Sequence, residues 1–139
     1  MGERATIHAS TVAIDGRAVM ILGPSGAGKS DLALRLIDRG AQLVSDDYTL
    51  LVAEADRLVA SAPDTIAGRI EVRGLGIVPL PHVDGVPVAL AVRIAAAPDR
   101  MPLPRQEVFA GVPIRCVAFA PYHASAPIAV ELALRHDLP

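Results

Sequence analysis

Cysteine, aromatic side chains, net charge and long apolar runs are all scarce in this 139-residue chain. The single cysteine, Cys116, rules out an internal disulfide and fits a reducing, cytoplasmic setting. It lies in the apolar stretch from Ile114 to Phe119, where a thiol reads as a buried structural group and not as a nucleophile. Two Tyr, two Phe and no Trp, with a formal net charge of −2 and a pI near 6.0, argue against the basic stacking surface that nucleic-acid binding needs. No apolar run approaches the ~20 residues of a membrane-crossing helix, so no membrane partner is expected. The first ten residues carry Glu3, Arg4 and His8 where a secretory leader would have an apolar centre.

What is present points to one well-filled α/β domain over residues 1–139. Hydrophobic residues make up 52% of the chain, enough to cover both faces of a sheet. Thr11 to Ile14 and Ala18 to Leu22 read as strands joined by a tight Asp15-Gly16 turn. The apolar stripe of Leu32, Leu34, Leu36 and Ile37 with Ala33 predicts a helix over about Ser30 to Arg39, with Gly40 ending it. Further strands are expected at Gln42 to Ser45, Val88 to Ile94 and Ile114 to Phe119, with Tyr48 to Ala53 as extended chain against which Leu58 to Ala60 pairs, and Ile70 to Val72 and Ile77 to Leu80 as short extended pieces. A last helix is expected over Pro127 to His136, with Ile128, Val130, Leu132 and Leu134 facing inward. The fold class is therefore a P-loop-containing mixed sheet with flanking helices.

Between the second of these strands and the first helix stands Gly23-Pro24-Ser25-Gly26-Ala27-Gly28-Lys29-Ser30, which satisfies G-x-x-x-x-G-K-[ST]. Such a loop turns successive backbone N–H groups inward around an anion, and the helix dipole behind it adds to the attraction. Lys29 can reach the β and γ phosphates of a nucleoside triphosphate, and the Ser30 hydroxyl can ligate Mg²⁺. The buried strand before the loop and the amphipathic helix after it are the context this motif requires.

Transfer chemistry further needs carboxylates. Asp46-Asp47 follows the strand Gln42 to Ser45, and adjacent parallel strands in such a sheet deliver their C-terminal ends to the phosphate site. Either one aspartate faces the terminal phosphate, or both are solvated turn residues. Glu71 and Arg73 share one side of a strand, with Gly74 and Gly76 allowing close backbone approach to another group. On spacing alone they fit a site or a plain surface ion pair equally well.

Taken together, these residues resemble the catalytic domain of the HPr kinase/phosphorylase family. His8-Ala9-Ser10 is similar to the family's His-Gly opening, Gly23 to Ser30 to its G-x-S-G-x-G-K-S, and Asp31 to Gly40 to its helix ending in Arg-Gly. Asp46-Asp47 matches the double aspartate, and Glu71 to Gly76 resembles the E-I-R-G-L-G signature. The resemblance implies ATP-dependent phosphorylation of a serine on an HPr-type phosphocarrier protein. It implies Asp47 as proton acceptor, Lys29 on the β and γ phosphates, His8 near the transferred group, and Ser30 and Glu71 as Mg²⁺ ligands. Arg100, in Asp99-Arg100, takes the place of a catalytic arginine. A homo-oligomer, hexameric in the family, is implied as well.

Departures from the family shape further expectations. The chain begins almost directly at the catalytic part, where the family usually has a separate N-terminal domain. Ala118 to Ser125 stands in place of the family's P-V-R-P-G-R-N loop, and of its residues only Pro121 clearly remains. Loss of two guanidiniums there predicts a kinase with weak or absent phosphorylase activity. A small-molecule kinase, or a nucleotide sensor without transfer activity, are the competing readings.

Overall fold

In the computed structural model, which describes residues 3–136, an edge strand β1 (Arg4–Ile7) leads into β2 (Ala9–Ile14) and then β3 (Arg17–Leu22). Asp15 and Gly16 both take positive φ (52° and 77°), as a tight two-residue hairpin requires, and β2 and β3 pair antiparallel. The glycine loop follows and opens α1 (Lys29–Asp38). Next come β4 (Gln42–Ser45), the hairpin of β5 (Thr49–Glu54) and β6 (Arg57–Ser61), and the small hairpin of β7 (Arg69–Val72) and β8 (Gly76–Pro79). The chain ends in β9 (Val86–Ile94), β10 (Gln106–Phe109), β11 (Val112–Phe119) and α2 (Ala126–His136).

The main sheet runs β1-β5-β6-β9-β3-β2-β4, and β11, carrying β10, branches from the far half of β9. Alternation along the central strands explains why it is covered on both faces. Val12, Ile14, Val19 and Ile21 point to one side, where they pack with Leu32 and Leu36 of α1 and Val130 and Leu134 of α2. Ala13, Ala18, Met20 and Leu22 point to the other, where the sheet curls over them with Leu51, Leu58, Phe109 and Ile114. Arg39 joins the two helices through Glu131, to which its Nε and Nη2 donate at 3.0 and 2.7 Å.

The strand ends are what matter for function. β9 runs parallel to β3, and β11 runs parallel to β9. β2 is antiparallel to both β3 and β4, so β4 points the same way as β3 although the two are not neighbours. The expectation of adjacent parallel strands is thereby corrected: a hairpin strand stands between them. The C-terminal ends of β3, β4, β9 and β11 still meet at one edge, together with the start of β2.

Two more expectations change. Residues two apart on a helix lie about 200° apart, so an i, i+2 series cannot share one face. In α2, Val130 and Leu134 are buried with Ala126, Glu131 and Ala133, whereas Ile128 and Leu132 are 43% and 46% exposed. Gly74 and Gly76 have open space around them, so close approach is not their purpose. Their φ values of 92° and 99° are, because the hairpin turns through a backbone region that side chains disfavour. Strands β1 and β10 went unforeseen.

Cys116 is buried, as expected, and its Sγ donates to Glu107 Oε2 at 2.9 Å. Burial, with Glu107 beside it, pushes the thiol up to about 12, which leaves it inert. Glu107 also accepts from Arg93 (2.9 and 2.6 Å) and Arg105 (3.1 Å), tying β9 to β10 and β11. Chiefly through Arg93, these donors hold its carboxyl down to about 2. Since the folded value lies below the ordinary one of 4.5, the stabilisation is complete above that pH and drains away as pH falls toward 2. Thermal melts across this acid window should show a steeper loss for the wild type than for Glu107→Gln, whose midpoint should start lower and stay flatter.

Candidate functional site

The glycine loop connects the end of β3 to α1. Gly28 is the residue before the helix, at φ 104°, with no side-chain cap, so the first N–H groups of α1 are open to a ligand. A Cβ at Gly28 would lie 3.2 Å from Pro121 Cβ and 3.3 Å from Tyr122 Cζ, whereas one at Gly26 (φ 80°) would meet nothing. Gly28→Ala should therefore destabilise the fold by about 1–3 kcal/mol and weaken nucleotide binding, with Gly26→Ala costing less in melting temperature. Paired thermal melts and nucleotide titrations check both halves of this expectation.

A cleft of about 630 Å³ lies between the loop, the start of α1 and the β7–β8 hairpin. It brings together Ser25, Gly26, Gly28, Lys29 and Ser30 from the loop, Asp46 and Asp47 from the end of β4, and Glu71 from β7. Gly23, Pro24 and Ala27 complete the loop; Ala27 N–H donates to Pro24 O at 3.1 Å. Lys29 is buried, and its Nζ donates to the carbonyls of Gly23 (2.8 Å) and Pro24 (2.9 Å). Burial lowers its ammonium from the ordinary value, while Asp47 and Asp46 oppose that by favouring the charge.

The two aspartates divide. Asp46 is buried and its Oδ1 accepts from Ser10 Oγ (2.8 Å) and Ser30 Oγ (2.6 Å), while its Oδ2 accepts from Glu71 N–H (2.9 Å). One carboxylate thus joins β2, α1 and the β7–β8 hairpin. Asp47 takes φ 69°, a left-handed conformation that Asp tolerates, and this turns its side chain out into the cleft. His8 Nε2–H donates to Asp47 Oδ1 at 2.7 Å, and the imidazole stacks on Tyr48 with ring centres 5.1 Å apart. Ser10 Oγ also accepts from Asp47 N–H at 3.1 Å, so a single buried serine pins both aspartates.

Glu71 and Arg73 both line the cleft and have no ion-pair partner among the described residues, so they are not the plain surface pair. Arg100 is not brought in: it lies exposed in the segment between β9 and β10, outside the cleft-lining residues. Two contributors, Ser10 and Tyr122, escaped the sequence, and Asp46, foreseen as one of the pair, had nothing to mark its bond to Ser10. Tyr122, 69% exposed and lining the cleft, lies in a loop that departs from the family pattern.

A curled mixed sheet flanked by helices, whose strand ends gather a glycine loop, a lysine and paired aspartates, defines a mixed α/β protein with its polar cleft at that edge. The chain belongs to the HPr Serine kinase C-terminal domain family, whose model matches residues 1–92. Over 87 residues it is 39% identical to the HPr kinase/phosphorylase of Clostridium tetani, an alignment covering 63% of this chain and 28% of that protein. Over 73 residues it is 49% identical to the HPr kinase/phosphorylase of Bacillus velezensis, covering 52% and 24%. The aligned part is thus about a quarter of these relatives' length. Among solved structures, the Hpr(Ser) kinase/phosphatase from Coxiella burnetii superposes with a TM-score of 0.83 at 33% identity, covering 96% of this chain and 95% of that one.

Proposed function

We propose that the protein is an ATP-dependent, Mg²⁺-using kinase that phosphorylates a serine of an HPr-type phosphocarrier protein in the cytoplasm. The observation that carries this reading is the meeting of Lys29, Ser30, Asp46, Asp47 and Glu71 in one cleft at the mouth of the glycine loop. The names of the relatives support the choice of acceptor. No helix among the described residues is long and apolar enough to cross a membrane.

The donors present fit Mg²⁺. Ser30 Oγ donates its proton to Asp46, which leaves the oxygen's lone pairs free for a cation, and Glu71 lines the same cleft. Among the described residues no three His, Cys, Asp or Glu side chains cluster into a cage. Mg²⁺ commonly takes one or two carboxylates with substrate phosphates and water, so Ser30 and Glu71, with Asp46 behind Ser30, suffice on the protein side. When bound, the ion would neutralise charge on the phosphates.

Lys29 would exchange the loop carbonyls of Gly23 and Pro24 for phosphate oxygens. Asp47 would accept the proton of the acceptor serine as its oxygen bonds to the γ phosphorus and the bond to the β–γ bridging oxygen breaks. The charge arriving on the departing diphosphate would rest against Lys29 and the N–H groups of the loop. His8 would orient the Asp47 carboxylate through its 2.7 Å bond. Because Arg100 stands apart from the cleft, its catalytic role is not part of this reading of the single chain.

Incubation with γ-labelled ATP and a purified HPr-type protein should place the label on a serine ester, located by mass spectrometry. Label in a small metabolite would replace the acceptor with a small molecule, and nucleotide binding without transfer would leave only a sensor. Phosphorylated acceptor given Mg²⁺ and millimolar phosphate should release little pyrophosphate, because the loop at Ala118 to Ser125 lacks the family's two guanidiniums. Rapid release would overturn that part. By the family resemblance the working form is a homo-oligomer, for which light scattering should return a hexamer mass.

A further inference from the structure

Tyr122 has an unusual combination of restraint and exposure. Its backbone is clamped on both sides: Arg35, in the last turn of α1, donates through Nη2 to Pro121 O and through Nη1 to His123 O at 3.2 Å. Arg35 is itself set by Asp31 at 3.0 Å, and Pro121 is buried. The side chain nevertheless stays 69% exposed and lines the cleft, with no stacked ring partner among the described residues. It is anchored along one edge only, its Cζ and hydroxyl lying 3.3 Å from where a Gly28 Cβ would be.

A large aromatic ring on an anchored backbone, left open to water at the mouth of a cleft, suits a flat, apolar ligand face. Its position in the sheet says which end of a ligand it would meet. The loop carrying Tyr122 leaves the end of β11, on one side of β3 and the glycine loop, while β4 with Asp47 and β2 with His8 lie on the other. A triphosphate laid along the loop with its terminal phosphate toward Asp47 directs its nucleoside away from β4, past the start of α1, to the side where Tyr122 stands.

We propose that Tyr122 is the platform on which the base of the bound nucleoside triphosphate stacks, an assignment that rests on reading the cleft as a nucleotide site. Stacking on one ring face does not discriminate between bases, so the contribution should be equal for adenine and guanine and absent for a ligand without a base.

Calorimetric titration of the full chain with the Mg²⁺ complexes of ATP, GTP and inorganic tripolyphosphate tests this. Tyr122→Ala should weaken ATP and GTP by roughly 5- to 100-fold and tripolyphosphate by less than about twofold, and Tyr122→Trp should retain or tighten both nucleotides. Equal losses for all three ligands would show that the ring only shapes the glycine loop, and unchanged ATP affinity would show that the base lies elsewhere; either overturns the assignment. Wild-type protein that binds tripolyphosphate but gains nothing from a base also overturns it while leaving the phosphate site standing. Failure of the wild type to bind any of the three refutes the nucleotide site itself. The Trp variant, which keeps the bulk beside Gly28, guards against a loss that comes from misfolding of Tyr122→Ala.

Discussion

If the proposed kinase reading holds, Asp47→Asn should lower phosphoryl transfer to the acceptor serine by about 10²–10⁴-fold and leave ATP affinity within about threefold. The reason lies in how β4 ends. The left-handed turn at Asp47 directs its carboxylate into the cleft, where His8 is its only polar side-chain contact among the described residues. An amide of the same shape can still accept the His8 bond but cannot take a proton from the incoming hydroxyl. Nucleotide affinity should survive, because in the proposed site the loop N–H groups, Lys29 and Ser30 would supply the phosphate contacts. His8→Ala should give a smaller fall in rate, since the base remains but its orientation is lost. A rate for Asp47→Asn within tenfold of wild type would remove Asp47 from the role of base.

Asp46→Ala acts on structure and site together. Its carboxylate is buried and receives three hydrogen bonds from three separate elements, the hydroxyls of Ser10 and Ser30 and the Glu71 N–H. Removing it leaves all three donors without that acceptor. Bonds to a charged acceptor contribute about 1.5–3 kcal/mol each but do not add when the same group is lost, so a net cost of about 2–4 kcal/mol is expected. In a chain of this length that is a fall in melting temperature of roughly 10 °C. Because Ser30 and Glu71 are the proposed metal ligands, ATP affinity in Mg²⁺ should drop by at least about tenfold, and much less when EDTA is present. Asp46→Asn keeps an acceptor oxygen and should fall between the two. An Asp46→Ala variant that melts with the wild type and binds Mg²⁺·ATP normally would show that the bonding around this carboxylate is incidental.

These two effects also separate what the sequence could reveal from what it could not. The glycine loop, the strand before it and the helix after it are local: turn chemistry, an unbroken apolar run and a helical stripe all sit within adjacent residues, and all three elements fold as expected. The Asp15-Gly16 hairpin is legible for the same reason. Asp46 and Asp47 could be recognised as a pair, but only the turn at φ 69° decides which faces the cleft and which is buried. The Ser10–Asp46 bond spans 36 positions, and no spacing rule reports a contact of that range. The insertion of β2 between β3 and β4 is hidden likewise, since local pattern does not disclose strand order. In α2 the error was one of period: alternate residues were assigned to one face of a helix whose geometry separates them. Arg100 was assigned by resemblance alone, and the fold of the single chain does not carry it to the cleft.

Lys29 is the only lysine in the chain, so an amine-reactive ATP analogue that labels any lysine reports directly on the loop. A crystal structure with Mg²⁺ and a non-hydrolysable ATP analogue tests the proposed site most directly. The γ phosphorus should lie beside Lys29 Nζ, the ion on Ser30 Oγ and Glu71, and the Asp47 carboxylate within hydrogen-bonding reach of a hydroxyl placed in line for attack. A triphosphate bound away from the glycine loop, or an Asp47 carboxylate turned from the terminal phosphate with no other acid in its place, would contradict it.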